Sequence, residues 1–169
     1  MVMSDKPRMH IRDHIESFGD PYIDPEHLRD NTICKHCGAL YVSARWYAKG
    51  LVPAGISHAP EHVTLCPACR KLRDRVPGGV LKISGDFVWS HRDEILNLIR
   101  NQSNDALSDN PLERVMSMET QGDEILISTT NEKLAQKIGR ALHRAYRGNL
   151  EYKWSEDNRL ARVYWSREE

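Results

Sequence analysis

The sequence predicts an α+β protein in two parts: a small module held by four cysteines, then a helix and a small ββαββ antiparallel sheet domain. The first part is predicted because the only four cysteines form two Cys-x-x-Cys pairs. The second is predicted from short apolar segments on either side of one amphipathic helical segment. We divide the 169 residues into a flexible N-terminal arm (1–30), a cysteine module (31–78), a strand with a connecting helix (79–108) and the sheet domain (109–169).

The two cysteine pairs predict a metal site. They are Cys34/Cys37 and Cys66/Cys69, and 28 residues separate them. A Cys-x-x-Cys turn directs two thiolates toward one point, and two such turns complete the tetrahedral sulfur shell that zinc favours. Gly38 suits the tight backbone of a metal-binding turn. We therefore expect a four-cysteine zinc ribbon in which Cys34, Cys37, Cys66 and Cys69 bind one structural Zn²⁺ ion.

Two other uses of the cysteines fit less well. A disulfide framework belongs to oxidising compartments, and the N-terminus has no apolar signal-peptide core. A redox dithiol uses one pair on a thioredoxin-like βαβ unit, which leaves the second pair without a role. Reduced thiols predict a cytoplasmic protein. Because no run of about 18 apolar residues exists, we expect no membrane partner.

The first half of the chain contains short predicted elements. The N-terminal arm is polar and contains three prolines, which predicts no regular structure there. In the cysteine module, 39–42 is a predicted strand that 45–47 continues or lines. Gly and Pro predict a loop over 49–62, and a short basic helix follows at 70–75.

The connecting segment contains a strand and a helix. Alternation predicts a short strand over 80–83. Apolar residues at steps of three and four predict a helix from Phe87, and Ser90 with Asp93 has the spacing of a capping pair at its regular start. The Asn-, Ser- and Asp-rich segment 101–110 is interpreted as a polar linker.

The last part of the chain alternates in the order ββαββ. Strands are predicted over 112–119 and 124–130, around a turn that contains a glycine. A helix is predicted over 131–147, and strands over 150–154 and 159–165 form a terminal hairpin. This order predicts an antiparallel sheet with one face covered by the helix.

The net charge of zero conceals a local excess of basic residues. Residues 1–30 have a net charge of −3, whereas 31–78 contain seven basic and two acidic residues, a net charge of +5. A zinc tetrathiolate would remove two of those five charges. The remainder favours a polyanionic partner at the cysteine module, where we expect RNA contacts from Arg45, Trp46, Lys49, Arg70, Lys71 and Arg73.

The predicted helix at 131–147 has a basic ridge beside its apolar stripe. The ridge residues follow each other at steps of four, three, four and three: Lys133, Lys137, Arg140, Arg144 and Arg147. One alternative is an ordinary solvated face. Only Glu132 supplies an acid within the helix, so the ion pairs typical of a merely solvated helix are missing. We therefore predict that the ridge binds phosphates.

Aromatic residues accompany the basic ones. Trp46 follows Arg45, and the terminal hairpin contains Tyr152, Trp154, Tyr164 and Trp165. Exposed aromatic rings can stack unpaired bases, but they are also common in cores. We favour packing for Trp154 and Trp165, and for Trp46 the two interpretations stay open.

No enzyme is predicted. The segment from His58 to His62 matches the His-x-x-Glu-His pattern of one metallopeptidase class, which needs both histidines on one helix. Pro60 lies inside that segment and would break the helix, so we expect a loop. The charged cluster at 91–94 is interpreted as helix capping and surface pairing, since no nucleophile or phosphate loop accompanies it.

Several motifs together resemble a known family. The chain is similar to small bacterial zinc-ribbon proteins that are related to the nonsense-mediated-decay type of large-ribosomal-subunit export adaptor. The similarity covers nearly the whole chain from about residue 30. It rests on Cys34-Lys-His-Cys37-Gly38-Ala39, Cys66-Pro67-Ala68-Cys69-Arg70, Ser84-Gly85-Asp86-Phe87, His91-Arg92-Asp93-Glu94-Ile95 and Leu142-His143-Arg144-Ala145-Tyr146.

The resemblance implies ribosome or RNA association and zinc binding by the four cysteines. The export adaptors carry two zinc sites and further domains, so nuclear export is not carried over, and no family active site exists to transfer. We predict a non-enzymatic, zinc-binding, ribosome-associated RNA-binding protein of the cytoplasm, with ribosomal RNA and possible ribosomal proteins as partners. The alternative is a zinc-ribbon protein–protein interaction adaptor that binds no nucleic acid.

Overall fold

The computed structural model describes residues 21–22, 28–56, 59–157 and 160–169. Most of the predicted N-terminal arm lies outside the described residues. Within them the chain is a mixed α+β protein with two sheets and four helices.

The N-terminal part is a four-stranded sheet followed by a short helix, and we call it the ribbon unit. Its strands are β1 (Thr32–Cys34), β2 (Leu40–Val42), β3 (Arg45–Tyr47) and β4 (His62–Thr64), in the order β3-β2-β1-β4. Helix α1 (Pro67–Asp74) follows. The sequence predicted a strand at β2 and a helix overlapping α1, but neither β1 nor β4. It predicted that 45–47 continues or lines the strand at 39–42, whereas Ser43 and Ala44, both with positive φ, turn the chain so that β3 pairs antiparallel with β2.

The C-terminal part contains a five-stranded sheet, and we call residues 79–166 the sheet unit. Its strands are β5 (Gly79–Ser84), β6 (Val115–Gln121), β7 (Glu124–Thr129), β8 (Asn149–Trp154) and β9 (Ala161–Ser166). Their order is β6-β7-β5-β9-β8, so β5 is the central strand. It pairs antiparallel with β7 and parallel with β9. The four-stranded, all-antiparallel ββαββ sheet was therefore only part of the observed sheet, which is mixed and includes β5.

Three helices cover one face of this sheet: α2 (Asp86–Ser90), α3 (Arg92–Asp109) and α4 (Glu132–Tyr146). Every second residue of β5, β7 and β9 faces them, as the period of a strand requires. The fully buried side chains of this core are Leu81, Ile83, Val88, Ile95, Ile99, Ile125, Ile127, Leu134, Ile138, Leu142, Val163 and Trp165. Among the helices of the described ranges, none is both long enough and apolar enough to cross a bilayer.

The segment predicted as a polar linker is helical instead. Helix α3 continues to Asp109 because Ala106 is fully buried in the core and fixes the last turns against it. The hydroxyl of Ser103 donates to the carbonyl of Ile99 at 2.7 Å, so its polar group is satisfied inside the helix. The predicted capping pair was also wrong, because His91 occupies the N-cap of α3 and makes no capping side-chain hydrogen bond.

The two units contact each other through the segment before β6 and through Thr130 after β7. Leu112 packs against the cluster that contains the cysteines of the ribbon unit. The Lys71 ammonium donates to the carbonyl of Thr130 at 3.1 Å, and the Arg45 guanidinium donates to that of Asp109 at 2.9 Å. These contacts place the cysteine module directly against the sheet unit.

Gly85 allows the chain to turn from β5 into α2. Its φ of 106° and ψ of 158° lie in a region that essentially only glycine occupies. An added Cβ would overlap the carbonyl oxygen of Arg167. We expect Gly85→Ala to lower the free energy of unfolding by about 2–3 kcal/mol in urea denaturation, from backbone strain and the clash.

Gly122→Ala is the matched control for this prediction. Gly122 also has a positive φ, of 59°, but nothing lies within 4 Å of the position of its Cβ. Gly122→Ala should therefore lower the free energy of unfolding by only about 1 kcal/mol, which is the cost of placing an alanine in a left-handed conformation. Equal losses of stability at the two positions would contradict the close packing of the turn at Gly85 against Arg167.

Candidate metal centre

The four cysteine sulfurs converge on one point. Their Sγ atoms all lie within 4.8 Å of one another, and all four cysteines are unpaired by disulfides. The sulfurs of Cys37 and Cys66 are 3.8 Å apart. A zinc–sulfur bond of about 2.3 Å gives a tetrahedron whose sulfur–sulfur edge is about 3.8 Å. The cluster can therefore bind one metal ion, as the spacing of the two pairs predicted.

The first pair lies on a tight turn at the end of β1. The carbonyl of Cys34 accepts from the amide of Gly38 at 2.9 Å, and the amide of Cys34 donates to the carbonyl of Ala39 at 2.8 Å. Gly38 has a φ of 74°, which the turn requires and which glycine adopts without strain. This turn directs Cys34 and Cys37 to the same side.

The second pair lies at the start of α1. Cys66 is the N-cap residue and Pro67 occupies the first turn, where its missing amide hydrogen costs nothing. Cys69 lies one turn into the helix, so both sulfurs face the first pair. The N-terminal end of a helix also favours negative charge, which suits thiolate ligands.

Backbone amides point at the sulfurs. The amide of Cys66 donates to Sγ of Cys34 at 3.3 Å, and the amide of Cys69 donates to Sγ of Cys66 at 3.4 Å. The amide of Ala39 does the same for Cys37. Cys34, Cys66 and Cys69 are at most 4% exposed. Buried sulfurs that accept amide hydrogen bonds fit the deprotonated ligands of a metal ion.

Without a metal, the protons are shared unequally among the sulfurs. The hydrogen bond from Cys66 lowers the pKa of Cys37 to about 4, and the same contact raises the pKa of Cys66. Burial raises the pKa of Cys69 to about 11. A metal must therefore displace protons from Cys66 and Cys69 at neutral pH, so metal binding releases protons.

Two side chains that the sequence analysis did not assign to the site contact its sulfurs. Nη1 of Arg114 and Nδ1 of His36 each lie 3.5 Å from Sγ of Cys69. Burial lowers the pKa of Arg114, but its contact with Cys37 and the charges of the sulfurs outweigh burial and raise it. His36 lies inside the first pair and could have been found from the sequence. Arg114 could not, because it is 45 residues from Cys69 and no motif contains it.

Most residues of the ribbon unit predicted to contact RNA have other partners. Trp46 is 6% exposed and packs against Tyr41, which leaves almost no ring face for a base. The guanidinium of Arg70 donates to the carbonyl of Leu65 at 3.0 Å.

The remaining basic residues of the ribbon unit that were predicted to contact RNA also differ in their partners. Arg73 is exposed but forms a salt bridge of 2.7 Å with Asp74. Arg45 and Lys71 are bound to carbonyls of the sheet unit, as described above. Lys49 is exposed, and its aliphatic chain covers Gly38. The ribbon unit therefore offers fewer free basic groups than its composition indicates.

The basic ridge is on the outer side of α4. Lys133, Arg140, Arg144 and Arg147 are exposed, and none of these four forms a salt bridge with another described residue. Lys137 differs, because its ammonium lies 3.1 Å from the carboxylate of the buried Glu113. The acid partner of Lys137 is outside the helix, where the helical spacing could not reveal it.

The aromatic residues of the terminal hairpin take different positions. Trp165 is fully buried, as predicted, and its indole donates to the carbonyl of Arg147 at 2.8 Å. The packing prediction for Trp154 was wrong, because β8 is an edge strand at which the core ends. Tyr152 and Trp154 are 40% and 42% exposed. Both face the α4 side of the sheet, and Arg140 hydrogen-bonds to Tyr152.

The histidine segment does not have the geometry of a metallopeptidase helix. His62 lies in strand β4 and Glu61 precedes it outside any helix, while His58 lies outside the described residues. His91 stacks on Phe87 with ring centroids 4.0 Å apart, and its Nδ1 lies 3.5 Å from the carboxylate of Glu94. This agrees with the interpretation of 91–94 as a surface pair.

Comparisons with known proteins add no relative to this description. No protein-family model matches the chain, and no curated protein or solved structure is significantly similar to it. The cysteine cluster and the surfaces around it are therefore the basis for any proposal about function.

Proposed function

We propose that this protein is a non-enzymatic RNA-binding protein of the cytoplasm, held together by one structural zinc ion and associated with ribosomal RNA. Zinc is proposed as the metal because four thiolates in a tetrahedron favour it over other common ions. Such a closed shell leaves no open position for a substrate, so the ion would only support the fold. Cysteines that are unpaired by disulfides fit a reducing compartment.

One observation carries the RNA proposal, namely a basic and aromatic surface along α4 and β8. We define this α4–β8 surface as Lys133, Arg140, Arg144, Arg147, Tyr152 and Trp154. All six side chains are exposed, and its four cations form no salt bridges with other described residues. Cations without acidic partners remain available to phosphates, and binding then releases counterions.

The two aromatic residues favour an RNA with unpaired bases. Tyr152 and Trp154 are separated by one residue on the edge strand, so they are about 7 Å apart along β8 and face the same side. Each ring can stack a base, which is worth about 1–3 kcal/mol per base. Arg140 holds Tyr152 by a hydrogen bond and so connects the aromatic part to the basic part.

Salt-dependent binding tests this proposal. We expect the protein to bind ribosomal RNA at low salt, and Arg140→Gln with Arg144→Gln to weaken binding on the order of tenfold. Loss of two phosphate contacts should also lower the slope of log K against log salt by roughly 1.4, at about 0.7 per contact on single strands. Fluorescence anisotropy with a labelled rRNA fragment measures both quantities.

Arg92→Gln with Arg100→Gln is the matched control, because it removes the same charge from exposed positions on α3. This control should change the logarithm of the RNA affinity by less than half as much as the Arg140→Gln, Arg144→Gln variant does. Absence of binding at low salt, binding that is independent of salt, or equal effects of the two double variants would contradict the proposal.

A protein-interaction adaptor is the second candidate, and one observation favours it. Val63 is 67% exposed in β4, which is an edge strand of the ribbon sheet. An edge strand with an exposed apolar residue can pair with an extended peptide. Absorbance at 260 and 280 nm before and after nuclease distinguishes the candidates, since an adaptor would purify without nucleic acid.

A further inference from the structure

We propose that Arg114 completes the metal centre from the sheet unit, where its guanidinium balances the charge of the sulfur cluster and fixes the ribbon unit to the sheet. This inference rests on the proposed metal site but not on RNA binding. It gives a role to a residue that is distant in sequence from every cysteine.

Arg114 is held in place from three directions. It lies immediately before β6, and its amide donates to the hydroxyl of Thr130 at 2.9 Å. Its Nε donates to the carbonyl of Pro111 at 2.7 Å, and its Nη1 lies 3.5 Å from Sγ of Cys69. The rigid guanidinium plane uses one edge for its own loop and extends the other toward the sulfurs. A lysine cannot make both contacts.

The charge of the site requires such a residue. A divalent ion with four thiolates has a net charge of −2, and three of the cysteines are at most 4% exposed. Buried charge is costly unless it is paired and hydrogen-bonded. Among the described residues, Arg114 is the only arginine or lysine that hydrogen-bonds to a cysteine sulfur. The cation therefore comes from the other unit rather than from the ribbon unit itself.

Thr130, which follows β7, connects the Arg114 segment to the ribbon unit. Thr130 accepts from the Arg114 amide, donates its hydroxyl hydrogen to the carbonyl of Leu112 at 2.5 Å, and accepts from Lys71 of α1 through its own carbonyl. Leu112 packs against the cysteine cluster. The segment before β6 and Thr130 after β7 thus together hold Arg114, contact the ribbon core and are bound to α1. If Arg114 stabilises the metal-bound site, metal binding must equally stabilise the contact between the units.

Zinc affinity tests the proposal in the full-length chain. The zinc dissociation constant is measured against a competing chelator for wild type, Arg114→Met, Arg114→Lys and the control Arg45→Met. Arg45 also crosses the interface, through its hydrogen bond to the carbonyl of Asp109, but the described contacts include none to a sulfur. We expect Arg114→Met to weaken zinc binding by about 10–100-fold, as loss of a group that supports a metal ligand does. The zinc affinity of Arg114→Lys should lie between those of wild type and Arg114→Met. Arg45→Met should change the zinc affinity by about twofold or less.

Thermal melting of the zinc-loaded protein gives a second readout. If Arg114 acts on the metal site and not only as an interface contact, Arg114→Met should lower the melting temperature of the zinc-loaded protein more than Arg45→Met does. Unchanged zinc affinity, or equal weakening by Arg114→Met and Arg45→Met, would overturn the proposal. A wild-type chain that binds no zinc would overturn the metal centre and this inference together. A chain without RNA affinity would affect only the RNA proposal, because the zinc measurement contains no RNA.

Discussion

Replacing Cys34 and Cys66 together by serine should abolish metal binding and unfold the ribbon unit, while the sheet unit keeps its fold. One ligand is lost from each pair, so neither turn can hold an ion with two sulfurs. The strands of the ribbon unit have three residues each, and its apolar cluster consists largely of the cysteines themselves with Tyr41 and Trp46. In zinc-finger peptides, metal binding supplies about 10–16 kcal/mol of the folding free energy. A unit with so small a core depends on that contribution.

Elemental analysis and amide NMR spectra measure this outcome. We expect about one zinc per wild-type chain and none in the double variant. Signals of the ribbon unit should collapse to random-coil positions while those of the sheet unit stay dispersed. Chelator-treated wild type is the control and should give the same spectrum, which separates loss of metal from damage by the serines. A double variant that keeps its metal, or stays fully folded without it, would contradict the structural role of the ion.

A fragment of residues 109–169 should not fold, whereas a fragment of residues 76–169 should. The shorter fragment contains β6 to β9 and α4 but lacks β5, which pairs with β7 and β9 over six residues each. Without β5, only two separate hairpins remain, and isolated hairpins are marginal in water. It also loses the fully buried Leu81, Ile83, Ile95 and Ile99. Together these side chains would account for roughly 6–12 kcal/mol of apolar burial, which is comparable to the total stability of a domain.

Thermal unfolding followed by circular dichroism checks this prediction. The longer fragment should melt cooperatively, and the shorter one should show no transition. Leu81→Ala and Leu126→Ala in the longer fragment provide a matched pair, because Leu81 faces the helices and Leu126 faces the uncovered side of the sheet. Leu81→Ala should lower the free energy of unfolding by about 2–5 kcal/mol, and Leu126→Ala should lower it much less. Independent folding of residues 109–169 would show that β5 is dispensable.

The metal site was predictable because its geometry is local. Each Cys-x-x-Cys pair is held by its own turn, at Gly38 in one case and at the start of α1 in the other. Each turn forms locally, so the tertiary structure has only to bring the two turns together. Helix α4 was predictable for a similar reason, since its 15 residues contain four turns of regular apolar spacing. Its N-cap, Asn131, accepts from the amide of Leu134 within the same turn.

Other features depend on contacts between distant residues. The polar composition of 101–110 predicted a linker, but burial of Ala106 keeps the segment helical. The role of Lys137 in the ridge changed because Glu113, 24 residues away, is its ion-pair partner. Trp46 entered the ribbon core and Trp154 did not enter the sheet core, although both are preceded by a basic residue. A sequence pattern describes neighbours along the chain and contains no information about the strand on which a sheet ends.

The sequence by itself determined which residues form the candidate metal site, which helix is amphipathic and where most strands lie. These properties follow from spacing over a few residues, where covalent geometry limits the choices. Only the tertiary structure decided that β5 is the centre of the C-terminal sheet and that Arg114 contacts the cysteines. Strand order and ion pairing between distant segments depend on which burial of apolar surface has the lowest free energy, and that is a property of the whole chain.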